Sequence, residues 1–161
     1  MEYKVGDRVI HSREGLSTIM SETQIAGNDY FVVVADNGDR ENIYVMKSRT
    51  DIIIRPLMSK EEVNKVFDYM KTIGPEFISN TKQRRDQYRR KLLSGSVYDL
   101  AYLSRQLYFY LYLNEQGQTV KLGPTDLQML RDAEKILFDE LAISLNVTPE
   151  ELKWKVKMAL N

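Results

Sequence analysis

Six cations, Lys82, Arg84, Arg85, Arg89, Arg90 and Lys91, fall within ten residues and share that window with a single acid, Asp86. Guanidinium and ammonium groups at this density donate to phosphate oxygens, so the chemistry they offer is capture of a polyanion rather than bond making. On a helix, Arg85 and Arg89 lie along one edge, Arg84 and Lys91 lie a heptad apart, and Tyr88 falls between the two rows. Such a face contacts the sugar-phosphate chain without reading bases, and its affinity falls as salt rises. The plainer reading of the same run is a solvated face whose cations pair with Asp86, Glu76 or acids of the next helix.

Catalytic chemistry is poorly supplied. The chain has no cysteine and one histidine, His11, which lies in a strand pattern with no nucleophile beside it and reads as a packing or surface residue. There is no Gly-x-Gly-x-x-Gly after a strand, no phosphate loop ending in Gly-Lys-Ser or Gly-Lys-Thr, and no Gly-x-Ser-x-Gly elbow. The carboxylate pairs Glu61-Glu62, Asp139-Glu140 and Glu150-Glu151 coincide with helix starts or solvated faces. These residues lead us to expect no enzyme activity, no cofactor, no metal site and no small-molecule substrate.

The chain around the basic window has 161 residues, enough for one ordinary domain or two small ones, and its 43% hydrophobic content can fill a core. Its 23 basic and 23 acidic residues cancel, which excludes a uniformly basic coat. The balance is local: residues 1–58 carry 7 basic and 9 acidic side chains, residues 59–91 carry 9 and 5, and residues 92–161 carry 7 and 9. The positive charge therefore has one address. No run approaches the roughly 18 apolar residues of a membrane span, and the first residues lack a signal-peptide pattern, so a cytoplasmic location is expected.

The elements that must position the window change character near residue 58. Before it, Arg8 to His11, Leu16 to Met20, Tyr30 to Val34, Asn42 to Met46 and Ile52 to Ile54 read as five short strands, the last stopped near Pro56. Asn37-Gly38 is expected to close a tight hairpin. The spacing predicts a small antiparallel β-barrel or sandwich over residues 1–58 and a helical domain over 59–161, an α+β fold.

From Ser59 the apolar period becomes about 3.6. Ser59 and Glu62 form a capping-box pattern ahead of Val63, Val66, Phe67 and Met70, and Gly74-Pro75 ends that helix. A basic helix then runs from about Asn80 to Leu93, and Ser96 with Asp99 offers the cap of a third. Gly123-Pro124 opens a fourth, and Thr148, Pro149 and Glu151 open a last one that carries Leu152, Val156 and Leu160 inward. The result is a five-helix bundle. The third helix is apolar on most sides, so its tyrosines read as packing side chains at its centre rather than stacking platforms for bases. Trp154 reads as an anchor against the bundle rather than a wedge in DNA.

The order of these elements, with several local strings, resembles the CarD/CdnL family of bacterial RNA-polymerase-binding transcription regulators. The strings are Lys4-Val5-Gly6-Asp7 with Val9 and Gly15, Ile25 to Tyr30 around Gly27, and Lys91-Leu92 to Ser94-Gly95. Leu122-Gly123-Pro124, Met129-Leu130, Ala133, Ile136-Leu137 and Glu140-Leu141 continue the match. The resemblance implies that the N-terminal β-barrel is Tudor-like and docks on the RNA polymerase β subunit, through Thr23, Gln24 and Ile25 and through Ile43 and Tyr44. It also implies that the helical domain contacts promoter DNA, through Lys82, Arg84, Arg85, Arg89 and Arg90. Thr81 stands where the family often carries a tryptophan wedge, and Asp86 where the residue is usually basic. An adaptor that binds polymerase but not DNA is the alternative that Thr81 leaves open.

Overall fold

The two-residue turn at Ala26-Gly27 sets the geometry of the N-terminal sheet, because both residues take positive φ, 50° and 83°, as a type I′ hairpin requires. It joins β2 (Gly15–Ile25) to β3 (Asn28–Ala35), with Ile25 opposite Asn28. The computed structural model describes residues 2–160. With β1 (Arg8–His11), β4 (Ile43–Met46) and β5 (Ile54–Pro56) the two strands form an antiparallel sheet in the order β4-β3-β2-β1-β5. Residues on one face, Val9, Ile19, Phe31, Val33, Val45 and Ile54, make the core of this unit, as the two-residue period of a strand dictates. Met20 is the extra residue of a bulge between Ile19 and Ser21.

Three expectations for this half need correction. Barrel closure is not shown: β4 and β5 pair on one side only among the described residues. Asn37-Gly38 does not close a tight hairpin, because Asn37 and Asp39 spend their side chains on the backbone of a longer loop: Asn37 Oδ1 accepts from Asp39 N–H at 2.9 Å and Asp39 Oδ1 from Glu41 N–H at 3.1 Å. Strand β4 consequently begins at Ile43 rather than Asn42. The isoleucine run is not one strand either. Thr50–Ile53 is a short helix, α1, that follows a 3-10 turn at Lys47–Arg49, and only Ile54 of the run pairs with β1, opposite His11. Local turn geometry overrides β-branched propensity there.

The chain divides between Leu57 and Met58 into two compact units. The second unit contains α2 (Lys60–Thr72), α3 (Thr81–Leu93), α4 (Val97–Glu115), α5 (Pro124–Leu145) and α6 (Pro149–Leu160), so with α1 the described residues hold six α-helices rather than five. Its core joins Val63, Val66 and Met70 of α2 to Tyr88 of α3, Leu100, Leu103 and Leu107 of α4, Leu130, Leu137 and Leu141 of α5, and Leu152 and Val156 of α6. Helix α2 starts on a full capping box, Ser59 with Glu62. Helix α4 does not start as its sequence suggests. Ser96 makes no side-chain cap bond, because Asp99 turns back to accept from Ser94 Oγ at 2.7 Å and to meet Lys91 Nζ at 3.4 Å.

The first half of α4 is central, with Leu100 to Leu107 all buried, while Tyr108, Leu111 and Tyr112 are exposed beyond it. Trp154 is a further correction. Its ring is not an anchor: it is 62% exposed, beside Met158 one turn on, while Leu152 and Val156 on the other side of α6 face inward. No helix among the described residues is long and apolar enough to cross a membrane.

Candidate nucleic-acid interface

Helix α3 is positioned from its N-terminal end. Asn80 Oδ1 accepts from Gln83 N–H at 2.9 Å and fixes its start. The chain between α2 and α3 is held from within by a fully buried glutamine of α4. Gln106 Nε2 donates to Gly74 O at 2.9 Å, and its Oε1 accepts from Glu76 N–H at 2.8 Å. The Gly74-Pro75 stop thus becomes a fixed corner.

Arg84 belongs to this scaffold rather than to the surface. It is 6% exposed; its Nη1 donates to Ile78 O at 2.9 Å and its Nη2 to Asp126 Oδ2 at 2.7 Å. Asp126, fully buried in the first turn of α5, also accepts from Gly123 N–H at 3.0 Å. Burial alone would raise the Asp126 carboxyl, but the hydrogen bonds from Arg84 and Gly123 and the charges of Arg84 and Arg85 outweigh it and hold it below the usual carboxylate range. The same bond lifts the Arg84 guanidinium above its ordinary value. Arg84 is therefore corrected from a phosphate contact to an internal tie, and the edge it shares with Tyr88 and Lys91 is the inward one. Lys91 lies over the Tyr102 ring at 4.5 Å.

The remaining cations face out. At 100° per residue Lys82, Arg85, Arg89 and Arg90 fall within an arc of roughly 140°. Lys82, Arg89 and Arg90 are exposed and Arg85 half-buried, its Nε 3.7 Å from Asp126 Oδ1. Arg89 sits 3.6 Å from the exposed Asp86, a weak surface pair. Lys82 and Arg90 have no carboxylate within ion-pair distance among the described residues. Thr81, also exposed, opens the helix with a side chain too small to prop unstacked bases.

In the sheet, directly opposed residues share a face. Thr23, Ile25 and Tyr44 therefore lie on one face, with Ile25 and Tyr44 exposed, while Gln24 and Ile43 lie on the other. Ile43 packs against the sheet core, and Gln24 Nε2 donates to Asp29 Oδ1 at 2.8 Å. The last pair between β3 and β4 is Tyr30 with Met46, so the hairpin tip at Ile25 and Asn28 projects beyond the edge strand. His11 accepts at Nδ1 from the N–H groups of Arg13 and Glu14, both at 3.1 Å, and closes the β1–β2 turn. Burial pushes its pKa down. Among the described residues no three His, Asp or Glu side chains converge as metal ligands.

The residues missed in the sequence are Asp126 and Gln106. Asp126 has a local signal, since an acid three residues after Gly123 ahead of Pro124 suits the third position of a helix. Its partner lies 42 residues away, and no local pattern encodes that distance. Gln106 is a polar residue in an apolar run, which marks a buried hydrogen-bonding role without naming the partner.

A family model described as the C-terminal domain of CarD matches residues 65–157, more than half of the chain, and takes in α3, α4, α5 and most of α2 and α6. With that match over the unit that carries the basic helix, the chain belongs to the CarD/CdnL family and is a CarD-like transcription regulator.

Proposed function

We propose that the protein modulates transcription initiation in the cytoplasm by binding two partners, the β subunit of RNA polymerase through its N-terminal sheet and promoter DNA through the outer face of α3. The observation that carries the DNA half is the arc of Lys82, Arg85, Arg89 and Arg90, met at the surface by Asp86 and from within by Asp126, on a helix fixed by internal ties. Cations arranged this way grip phosphates and leave base edges unread, so binding is weakly sequence-selective. With Thr81 at the head of the helix, the contact is to backbone rather than to an opened base step. The Tudor-like sheet offers polymerase an open edge at β4 and an exposed Ile25 and Tyr44 beside it, the geometry of strand addition.

The test is an anisotropy titration of the full chain on forked promoter DNA between 50 and 200 mM salt. Contact with about three phosphates costs roughly 40-fold in affinity over that range. The combined variant K82Q/R85Q/R89Q/R90Q flattens the dependence if α3 is the contact. An unchanged slope removes DNA from this helix, and polymerase retention by such a chain supports the adaptor reading instead.

A further inference from the structure

Arg105 is an outlier among the buried charges. Arg84 and Asp126 pair with each other, and Glu140 accepts from Met58 N–H at 2.9 Å. Arg105 on α4 is 8% exposed, yet among the described residues it has neither a carboxylate nor a hydrogen-bond acceptor, and its Nε is buried and unpaired. Its guanidinium is faced only by the rings of Tyr108 and Phe109, at 4.7 and 4.8 Å. A charge withdrawn from water without a partner is costly, and burial pulls this one's pKa down.

Arg105 lines a cavity of about 310 Å³ among α2, α4, α5 and α6, within the size range of small-molecule sites. The walls are apolar, from Met70, Phe138, Val156 and Leu160. Two further cations, Lys153 and Lys157, line it from α6 against one carboxylate, Glu134. Glu134 is raised by its own burial, and the cations acting on it are Lys153 and Arg131 rather than Arg105. The aromatic contacts hold the guanidinium in place and leave it without an anion.

We propose that this cavity is a binding site for a small amphipathic carboxylate, whose apolar body fills the space between Met70, Phe138 and Val156 and whose carboxylate accepts from Arg105. The inference stands apart from the polymerase and DNA reading, since it uses no residue of the outer face of α3.

The full chain titrated calorimetrically with octanoate and with 1-octanol, which has the same body and no charge, tests it. Octanoate binds saturably and at least about tenfold more tightly than octanol, the scale of one hydrogen bond to a charged group. Wild-type methyl resonances of Met70, Val156 and Leu160 shift on its addition. R105M, which removes an unpaired buried charge, melts at the same temperature or higher and binds the two probes equally. No saturable octanoate binding, equal affinities in the wild type, methyl shifts elsewhere in the chain, or octanoate preference kept by R105M each overturns the site. The methyl shifts decide the matter even where R105M fails to fold.

Discussion

Arg84 of α3 and Asp126 of α5, 42 residues apart, meet inside the helical unit with Nη2 2.7 Å from Oδ2, and neither side chain is open to solvent. The pair ties the basic helix to α5 and spends one of its arginines on the interior. A basic run in a sequence is thus divided by the fold into cations that tie the helix to its neighbours and cations that stay at the surface.

Removing one member of that pair strands the other. Asp126→Leu or Arg84→Met is expected to destabilise the protein by about 3–5 kcal/mol, while the double replacement R84M/D126L recovers part of the loss. Urea midpoints of the three variants check this, and additive losses would show that the two groups are not coupled.

The same carboxylate makes stability depend on acid. Because the folded pKa of Asp126 lies below its unfolded value of about 3.9, its contribution is complete above that value and is lost as pH falls through the lower folded one. Melting temperature from pH 6 downward is expected to drop less steeply in D126N than in the wild type.

Arg90 offers the contrast with Arg84. R90Q is expected to leave the melting temperature unchanged and to reduce the salt slope for DNA binding by about one unit. A destabilised R90Q with an unchanged slope would place Arg90 in the scaffold.

The His11 imidazole is held below its ordinary value of about 6.5, since burial disfavours the charged form, and protonation would also cost the turn its acceptor at Nδ1. Its stabilising share is present above the unfolded pKa and fades as pH falls toward the lower folded one. An NMR titration of its ring protons measures this directly; a midpoint at or above 6.5 contradicts it.

Ile25 and Tyr44 carry the polymerase prediction. I25S/Y44A removes two exposed side chains from one face of the sheet, so it weakens capture by the polymerase β subunit with little change in melting temperature, by surface plasmon resonance and thermal scan. Undiminished capture by the folded variant argues against this face.

Much of the helical half was legible because its signals are local: Ser59 with Glu62, Asn80 ahead of α3, and Pro124 at the first turn of α5 each set a boundary within a few residues. The resemblance drawn from short strings is upheld by the family match. What stayed hidden depends on distance. Periodicity put Arg84 on one edge of a helix, but which edge faces inward depends on Asp126, and no spacing rule reaches across 42 residues. Trp154 misled for a related reason, since a large apolar ring is usually buried and only the rotation of α6, set by Leu152 and Val156, decides that this one is not. In the sheet, the tight turn formed at a pair the sequence had not singled out. Ala26-Gly27 took the tight hairpin, and Asn37-Gly38, the stronger pair by composition, went to a loop braced by its own side chains.

The bearing of the outer face of α3 is inherited from a residue that never sees solvent. Gln106 grips Gly74 and Glu76, so a change at its amide slackens the corner ahead of the helix while the apolar interior survives. Such a protein would stay folded and keep every cation of α3, and a change in the tilt of that helix would have no altered residue at the surface to explain it.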